Sequence, residues 1–187
     1  MPWNVDGVSG EDRFVALHYN PPAAALIAQF ERKTGVGYPV GSIYVKRPSD
    51  EQYWKAFAGD DTTTAVDVAT ASRAPLLFFQ VLVVSKTPKA GDPKAKAGIG
   101  MNWSHVGRID LSTGEQSVVV DAKRFRERHD GAWVSRLISA SEDGKSILCK
   151  IAVHKSAPNA RIGYSVCRLH LETLDFDVLA ALSTTFF

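Results

Sequence analysis

Short stretches in which apolar and polar residues alternate recur along the chain, with turn-forming residues between them. The alternation is clearest over 167–172, where Cys167, Leu169 and Leu171 share one face of an extended chain and three polar residues share the other. A period of two residues is typical of a β-strand that is buried on one side. We therefore predict an all-β fold of antiparallel strands joined by turns.

One order of elements recurs three times along the chain, which indicates an internal repeat. A polar acidic turn, a basic residue and a strand follow one another at 9–19 and again at 141–151, and a copy at 70–84 keeps the strand but changes the turn. Shorter β-like runs precede these strands at 3–8, 63–69 and 133–139. Hairpins follow them at 42–57, 107–121 and 166–180. The repeating unit is thus four consecutive antiparallel strands, here called A, B, C and D.

Four-stranded units joined end to end in this way are the blades of β-propellers. We place the three units at 3–60, 62–121 and 131–182, within one domain that spans 1–187. Two turns support this interpretation. Ser-Glu-Asp-Gly-Lys precedes a B strand at 141–145, and Ile-Asp-Leu-Ser-Thr-Gly-Glu joins a C strand to a D strand at 109–115.

These turns, together with Cys-Arg-Leu-His-Leu-Glu-Thr-Leu-Asp at 167–175, resemble the blades of TolB-like and WD40-like propellers. The resemblance is good over 107–182, partial over 3–60 and poor over 62–106. In the second unit Arg73-Ala74 stands where the family has Asp-Gly. In the first unit residues 47–50 stand where the family has Thr-Gly. The turn residues thus depart from the family pattern, whereas the predicted strands keep it. The resemblance implies a fold and not an activity.

Three blades are fewer than a closed propeller contains, since closed rings have about four to eight. An open stack exposes an apolar sheet face at each end, and a few hundred Å² at roughly 25 cal/mol per Å² costs several kcal/mol. That cost is comparable with the whole stability of a domain. We therefore expect a homodimer in which two three-bladed halves form one six-bladed ring. The alternatives are a stack capped by another propeller half and a fragment of a longer propeller.

Composition excludes several classes of partner. The 22 basic and 20 acidic residues leave a formal net charge of +2, which is too small to favour nucleic acid or an anionic membrane. No uninterrupted apolar run reaches the roughly 18 residues of a membrane span, and no secretory signal is evident, so we expect a cytoplasmic protein. Cys149 and Cys167 form neither a disulfide framework nor a zinc motif and are expected to be buried thiols.

The B-to-C and D-to-A connections of such a unit emerge at the same end of the sheet, which we call the loop end. The expected B-to-C loops are long, at 20–41, 85–106 and 154–165, and the first contains a helix-forming segment at 23–33. Long loops in a compact domain are often functional. We therefore expect the ligand-binding face at the loop end.

Basic, histidine and aromatic side chains supply the candidate binding residues at the loop end. They are His18, His105, His129, His154, Lys86, Arg124, Arg126 and Trp103. The basic residues would attract an acidic small molecule or glycan, such as a uronate, phosphate or carboxylate. Histidines from different units could share a metal or acid–base site, but no H-x-H or H-E-x-x-H spacing is present. We therefore assign no metal, cofactor or catalytic residue.

The expected function is a non-catalytic binding or scaffold module. The alternative is a propeller lyase, because Arg-Ile-Asp-Leu-Ser-Thr-Gly-Glu at 108–115 also resembles the hairpins of oligogalacturonate lyases. That resemblance implies a histidine-bound metal and acidic sugar substrates, although no catalytic residue can be matched individually. Neither a G-x-S-x-G elbow nor a phosphate-binding glycine loop is present to suggest another chemistry.

Overall fold

The structure is a computed structural model, and it describes residues 4–9, 14–18, 41–46, 50–60, 62–87, 98–154 and 162–182. Twelve strands and one short helix lie in this part of the chain. No helix within it has the length and apolar character needed to cross a membrane. The fold is therefore mostly β, as the alternating pattern predicts.

The strands form three sheets of four antiparallel strands each, and within every sheet the spatial order follows the chain order. The first sheet contains β1 (Asn4–Ser9), β2 (Phe14–His18), β3 (Ile43–Lys46) and β4 (Trp54–Phe57). The second contains β5 (Thr63–Thr70), β6 (Leu76–Thr87), β7 (Gly98–Asp110) and β8 (Gln116–Asp121). The third contains β9 (Trp133–Ala140), β10 (Ser146–His154), β11 (Ile162–His170) and β12 (Phe176–Leu182). The helix α1 (Ala122–Arg128) joins β8 to β9.

The second sheet is covered on both faces, and its strand β6 shows this most clearly. Leu77 and Phe79 are buried in one apolar cluster with Ile43 and Val45 of the first sheet. Phe78, which points the opposite way, is buried in a second cluster with residues of the third sheet. A strand that is buried on both sides reads as a continuous apolar run rather than as an alternating one. This explains the uninterrupted apolar stretch at 74–79.

The first strands of the three sheets lie beside one another, with β1 next to β5 and β5 next to β9. Asp67 of β5 joins two of these strands directly. Its Oδ2 accepts a hydrogen bond from the backbone N–H of Leu137 at 3.1 Å, and its Oδ1 lies 3.3 Å from Nη2 of Arg136. The sheets thus stack in chain order and meet along their first strands.

The turn at 141–145 has a geometry that its residues dictate. Asp143 Oδ1 accepts hydrogen bonds from the Ser141 hydroxyl at 2.8 Å and from the Lys145 backbone N–H at 3.1 Å. Gly144 has φ +70°, and a Cβ there would lie 2.5 Å from Cδ1 of Leu76. The left-handed backbone angle favours glycine here, and a larger residue would also displace the Leu76 methyl group of the second sheet.

The strands confirm the expected four-stranded order, but two expected B-to-C loops are shorter than predicted. Residues 85–87 and 98–106 belong to β6 and β7, and residues 162–165 belong to β11. The connection from β8 to β9 contains α1, which Asp121 caps by accepting a hydrogen bond from the Arg124 backbone N–H. The expected helix at 23–33 lies outside the described residues.

Candidate functional site

A pocket of about 520 Å³ opens between the second and third sheets at the loop end. Its size falls within the range of roughly 300–1,000 Å³ that is usual for small-molecule sites. The lining comes from β6, β7, β9, helix α1 and the turn that follows the helix. The lining residues are Gln80, Leu82, Asn102, Trp103, Arg126, Gly131, Trp133, Val134 and Ser135.

Gln80 is a polar residue in the centre of the apolar strand β6, and it is only 1% exposed. Its amide Nε2 donates a hydrogen bond to the Val134 carbonyl of the third sheet at 2.8 Å. Its Oε1 has no hydrogen-bond partner among the described residues. An unpaired buried acceptor costs about 1–3 kcal/mol, so the position of this amide requires an explanation beyond packing.

Trp103 lies on the neighbouring strand β7 and is 5% exposed. Its ring packs edge-on against Phe125 of α1, with the ring centroids 5.7 Å apart and an interplanar angle of 82°. The indole Nε1 is buried and, within the described part of the chain, has no acceptor. Two of the side chains that line the pocket thus carry a buried polar atom without a partner, one an acceptor and one a donor.

Helix α1 supplies the positive charge of the site. Phe125 is fully buried and anchors the helix, whereas Arg124 and Arg126 are exposed. Arg126 lines the pocket and makes no ion pair with any described residue, and Arg124 is not part of the lining. The two arginines thus share an element and a charge but differ in their access to the pocket.

A β-bulge shapes the wall that the third sheet contributes. Lys150 pairs with Arg136 and Ile151 pairs with Val134, which leaves Ser135 as the extra residue of β9. Bulges re-aim side chains and occur frequently beside binding sites. Because of this bulge, Val134 and Ser135 both line the pocket although they are consecutive in the strand.

The described histidines do not line the pocket. His105 is half-buried within β7, with Nδ1 3.0 Å from the Ser104 hydroxyl, and burial lowers its pKa although the Asp121 carboxylate partly opposes the shift. The ring centroids of His129 and Phe125 are 4.5 Å apart, and Nε2 of His129 donates a hydrogen bond to the Leu174 carbonyl at 2.7 Å. His129 therefore secures the helix to the third sheet.

The remaining sequence candidates have only their backbone described. His18 ends β2, His154 ends β10, and Lys86 lies next to the end of β6. Among the described residues, no group of three or more His, Cys, Asp or Glu is arranged to hold a metal ion. The structure therefore brings Trp103 and Arg126 together from the predicted set and places His105, His129 and Arg124 elsewhere.

The two cysteines lie directly opposite each other on β10 and β11, and both are buried. Burial raises the pKa of Cys149 to about 12, and the neighbouring Cys167 adds to the shift. Burial also raises the pKa of Cys167. Both side chains thus remain protonated thiols near neutral pH, which confirms the expectation of buried small side chains.

The predicted site residues did not include Gln80, Asn102, Trp133 or Ser135. The one available signal was Gln80, a single polar residue within an apolar strand. A buried amide of this kind is retained only where it finds partners, either within the protein or in a ligand. Asn102 and Ser135 carry no such signal, because small polar residues are common on strands that face solvent.

A smaller pocket of about 390 Å³ lies at the opposite end of the sheets. It involves Asp50, Gln52 and Trp54 next to the turn at 111–114. The described residues that line it include no basic side chain, whereas Arg126 lines the larger pocket.

No protein-family model and no curated protein matches this sequence.

Proposed function

We propose that the chain is a non-catalytic binding module made of three propeller-type blades, with its ligand face at the loop end. The pocket between the second and third sheets is the observation that carries this proposal. It lies where B-to-C and D-to-A connections meet, and it combines a cationic side chain with two unpaired polar atoms. The stacking of the sheets along their first strands supports the propeller interpretation.

The described lining is suited to binding rather than to catalysis. General acid–base chemistry uses a carboxylate, histidine or similar group within hydrogen-bond reach of the reacting atoms. The described lining residues include no carboxylate, histidine or cysteine, and Ser135 has no base beside it among them. Amide, hydroxyl, indole and guanidinium groups instead recognise hydrogen-bonding and negatively charged groups.

We further propose that a second copy of the chain completes a six-bladed ring. The inner face of the third sheet packs on the second sheet through Ile147, Cys149 and Ile151. On its outer face, one cross-strand row contains the buried Ala152 with Tyr164 and Leu182, and the next contains Lys150, Val166 and Ala180. Leu182 is 39% exposed and Val166 is half-buried in the single chain. A neighbouring blade would cover this face as the third sheet covers the second.

Titration of isotope-labelled protein with inorganic phosphate and with citrate tests the position of the ligand face. We expect amide chemical-shift changes at Arg126, Gly131 and Ser135, because those residues border the cationic pocket. The turn at 111–114, at the other end of the sheets, provides an internal control. Shifts confined to that turn, or no shift with either anion at millimolar concentration, would contradict the proposed face.

A further inference from the structure

We infer that the pocket between the second and third sheets takes a small hydroxylated anion, namely a polyol that carries one carboxylate or phosphate group. This inference rests on the proposed binding function and names its ligand class. Three features of the pocket determine that class: an unpaired acceptor on Gln80, an unpaired donor on Trp103 and the charge of Arg126.

The unpaired atoms indicate the neutral part of the ligand. Gln80 Oε1 requires a donor and Trp103 Nε1 requires an acceptor, and both are buried atoms of side chains that line the pocket. A hydroxyl group can donate and accept, so hydroxyls on neighbouring carbons can meet both requirements. An aliphatic chain without hydroxyls would leave both atoms unpaired, and the cost of that loss in a buried site is large.

The charged part of the ligand follows from Arg126. The guanidinium of Arg126 has no ion-pair partner in the described part of the chain, and no described lining residue is acidic. Guanidinium groups bind carboxylate and phosphate oxygens through paired charge-assisted hydrogen bonds. Carboxylate and phosphate therefore share the chemistry of this position, and an experiment must separate them.

The walls and volume limit the size of the ligand. Two indoles, those of Trp103 and Trp133, border the pocket, and indole rings pack well against the C–H groups of a polyol. The volume of about 520 Å³ accommodates a molecule of monosaccharide size. The position between two sheets selects such a compact molecule over an extended polymer.

Four compounds with six-carbon chains separate the contributions of charge and hydroxyls. Sorbitol has hydroxyls alone, hexanoate has a carboxylate alone, gluconate has both, and sorbitol 6-phosphate replaces the carboxylate by phosphate. We expect gluconate, sorbitol 6-phosphate or both to bind by calorimetry, and at least about tenfold more tightly than sorbitol and hexanoate. A shift of the Trp103 indole N–H resonance, assigned with Trp103→Phe, reports directly on the donor.

Two variants on the same helix distinguish the pocket from a diffuse positive surface. Arg126→Gln should weaken binding of the charged polyol by about tenfold or more, because it removes a charge-assisted contact. Arg124→Gln, the matched control, should leave the affinity unchanged since Arg124 is exposed and does not line the pocket. Both positions are on the surface, so neither variant should impair folding.

Three results would overturn the inference. They are failure of both charged polyols to bind, equal binding of sorbitol or hexanoate, and equal weakening by the two arginine variants. If both arginine variants weaken binding equally, the anion is attracted by the overall positive charge of the helix. The inferred ligand class then fails, but the ligand face at the loop end is not contradicted. If anion-induced shifts appear only at the turn at 111–114, the proposed function itself fails.

Discussion

At the scale of single residues, Gly107 and Phe79 show how closely two strands of the second sheet meet. The two residues are paired directly across β6 and β7. A Cβ on Gly107 would lie 2.4 Å from Cζ of Phe79, so the aromatic ring occupies the space of a side chain. Gly131 differs, because a Cβ there would meet nothing within 4 Å and its φ is +80°. One glycine is required by packing and the other by backbone conformation.

Substitution of these glycines separates the two causes. Gly107→Ala should destabilise the fold by about 1–3 kcal/mol through overpacking, and Gly131→Ala by about 1–2 kcal/mol through its left-handed backbone. Phe79→Leu should relieve part of the first loss and none of the second. Denaturant unfolding of the single and double variants measures this coupling. Additive losses for Gly107→Ala and Phe79→Leu would show that the ring contact does not constrain the glycine.

The pKa of His105 gives the stability of the fold a dependence on pH. Burial lowers this pKa below the ordinary value of 6.5 in the folded state, against an opposing effect of Asp121. On acidification the unfolded chain therefore binds a proton before the folded chain does. The contribution of the neutral His105 to the free energy of unfolding is therefore complete above pH 6.5 and decreases as the pH falls below that value.

Replacement of the imidazole tests this assignment. Between about pH 7.5 and pH 5, His105→Gln should lose less unfolding free energy than the wild type, because glutamine does not titrate. Thermal melts across that range measure the difference. Parallel pH profiles for the two proteins would contradict the role of His105.

Asp143 affects stability in a different pH range. Hydrogen bonds from the Lys145 backbone N–H and the Ser141 hydroxyl hold the pKa of Asp143 below 3.8. Its contribution to the free energy of unfolding is therefore lost only in stronger acid.

At the scale of elements, one hairpin design recurs with different residues. Asp110 Oδ1 accepts from the Ser112 backbone N–H at 2.8 Å, and the turn ends at Gly114 with φ +78°. In the third sheet Leu174 occupies the equivalent position with φ +61°, although leucine rarely adopts this conformation. Leu174 is 6% exposed within the core cluster. Burial of its side chain offsets the backbone strain, so a turn without glycine persists.

Asp67 links the first strands of two sheets, and its removal should be more costly than removal of its charged partner. The Asp67 side chain is 11% exposed and Arg136 is 65% exposed. Asp67→Ala should cost about 1–3 kcal/mol because the Leu137 N–H loses its acceptor, whereas Arg136→Gln should cost at most about 1 kcal/mol. Chemical denaturation of both variants measures the difference. Equal losses would place the stabilisation in the ion pair instead.

At the scale of the whole molecule, a stack of three sheets leaves two sheets with one outward face each. The second sheet contributes apolar residues to two core clusters, one on each side, whereas the outer face of the third sheet carries partly exposed apolar rows. Burial of such a face in a homodimer would contribute about 25 cal/mol per Å² of apolar surface. Burial of this face is the physical reason to expect the proposed dimer.

Disruption of that face should change the mass in solution. We expect light scattering to give twice the 20.4 kDa of one chain. Val166→Arg should shift the protein toward the monomer, because it places a long charged side chain beside Lys150 on the face where the second copy would pack. Val118→Arg is the control, since Val118 is 58% exposed on the last strand of the second sheet. A monomeric wild type with a cooperative melt would refute the dimer.

The sequence alone predicted the strands, because strand formation follows from local alternation and from turn residues such as Gly144 and Asp143. It placed the end of β6 and the start of β7 too far apart, because the glycines at 98 and 100 are uncommon within strands. Trp103 and Arg126 could be chosen as site residues from their chemistry and from the topology of the loop end. Gln80 was not among the predicted site residues.

Only the tertiary structure decided which side chains meet. The pocket depends on the angle and spacing of two sheets that are brought together by burial of Phe78, Phe125 and Ile151. Local patterns do not encode that spacing, because it results from contacts between residues far apart in the chain. For the same reason the structure alone shows that Gln80 and Trp103, which line one pocket with Arg126, retain unpaired polar atoms. Periodicity thus determined the elements, and packing between them determined the candidate site.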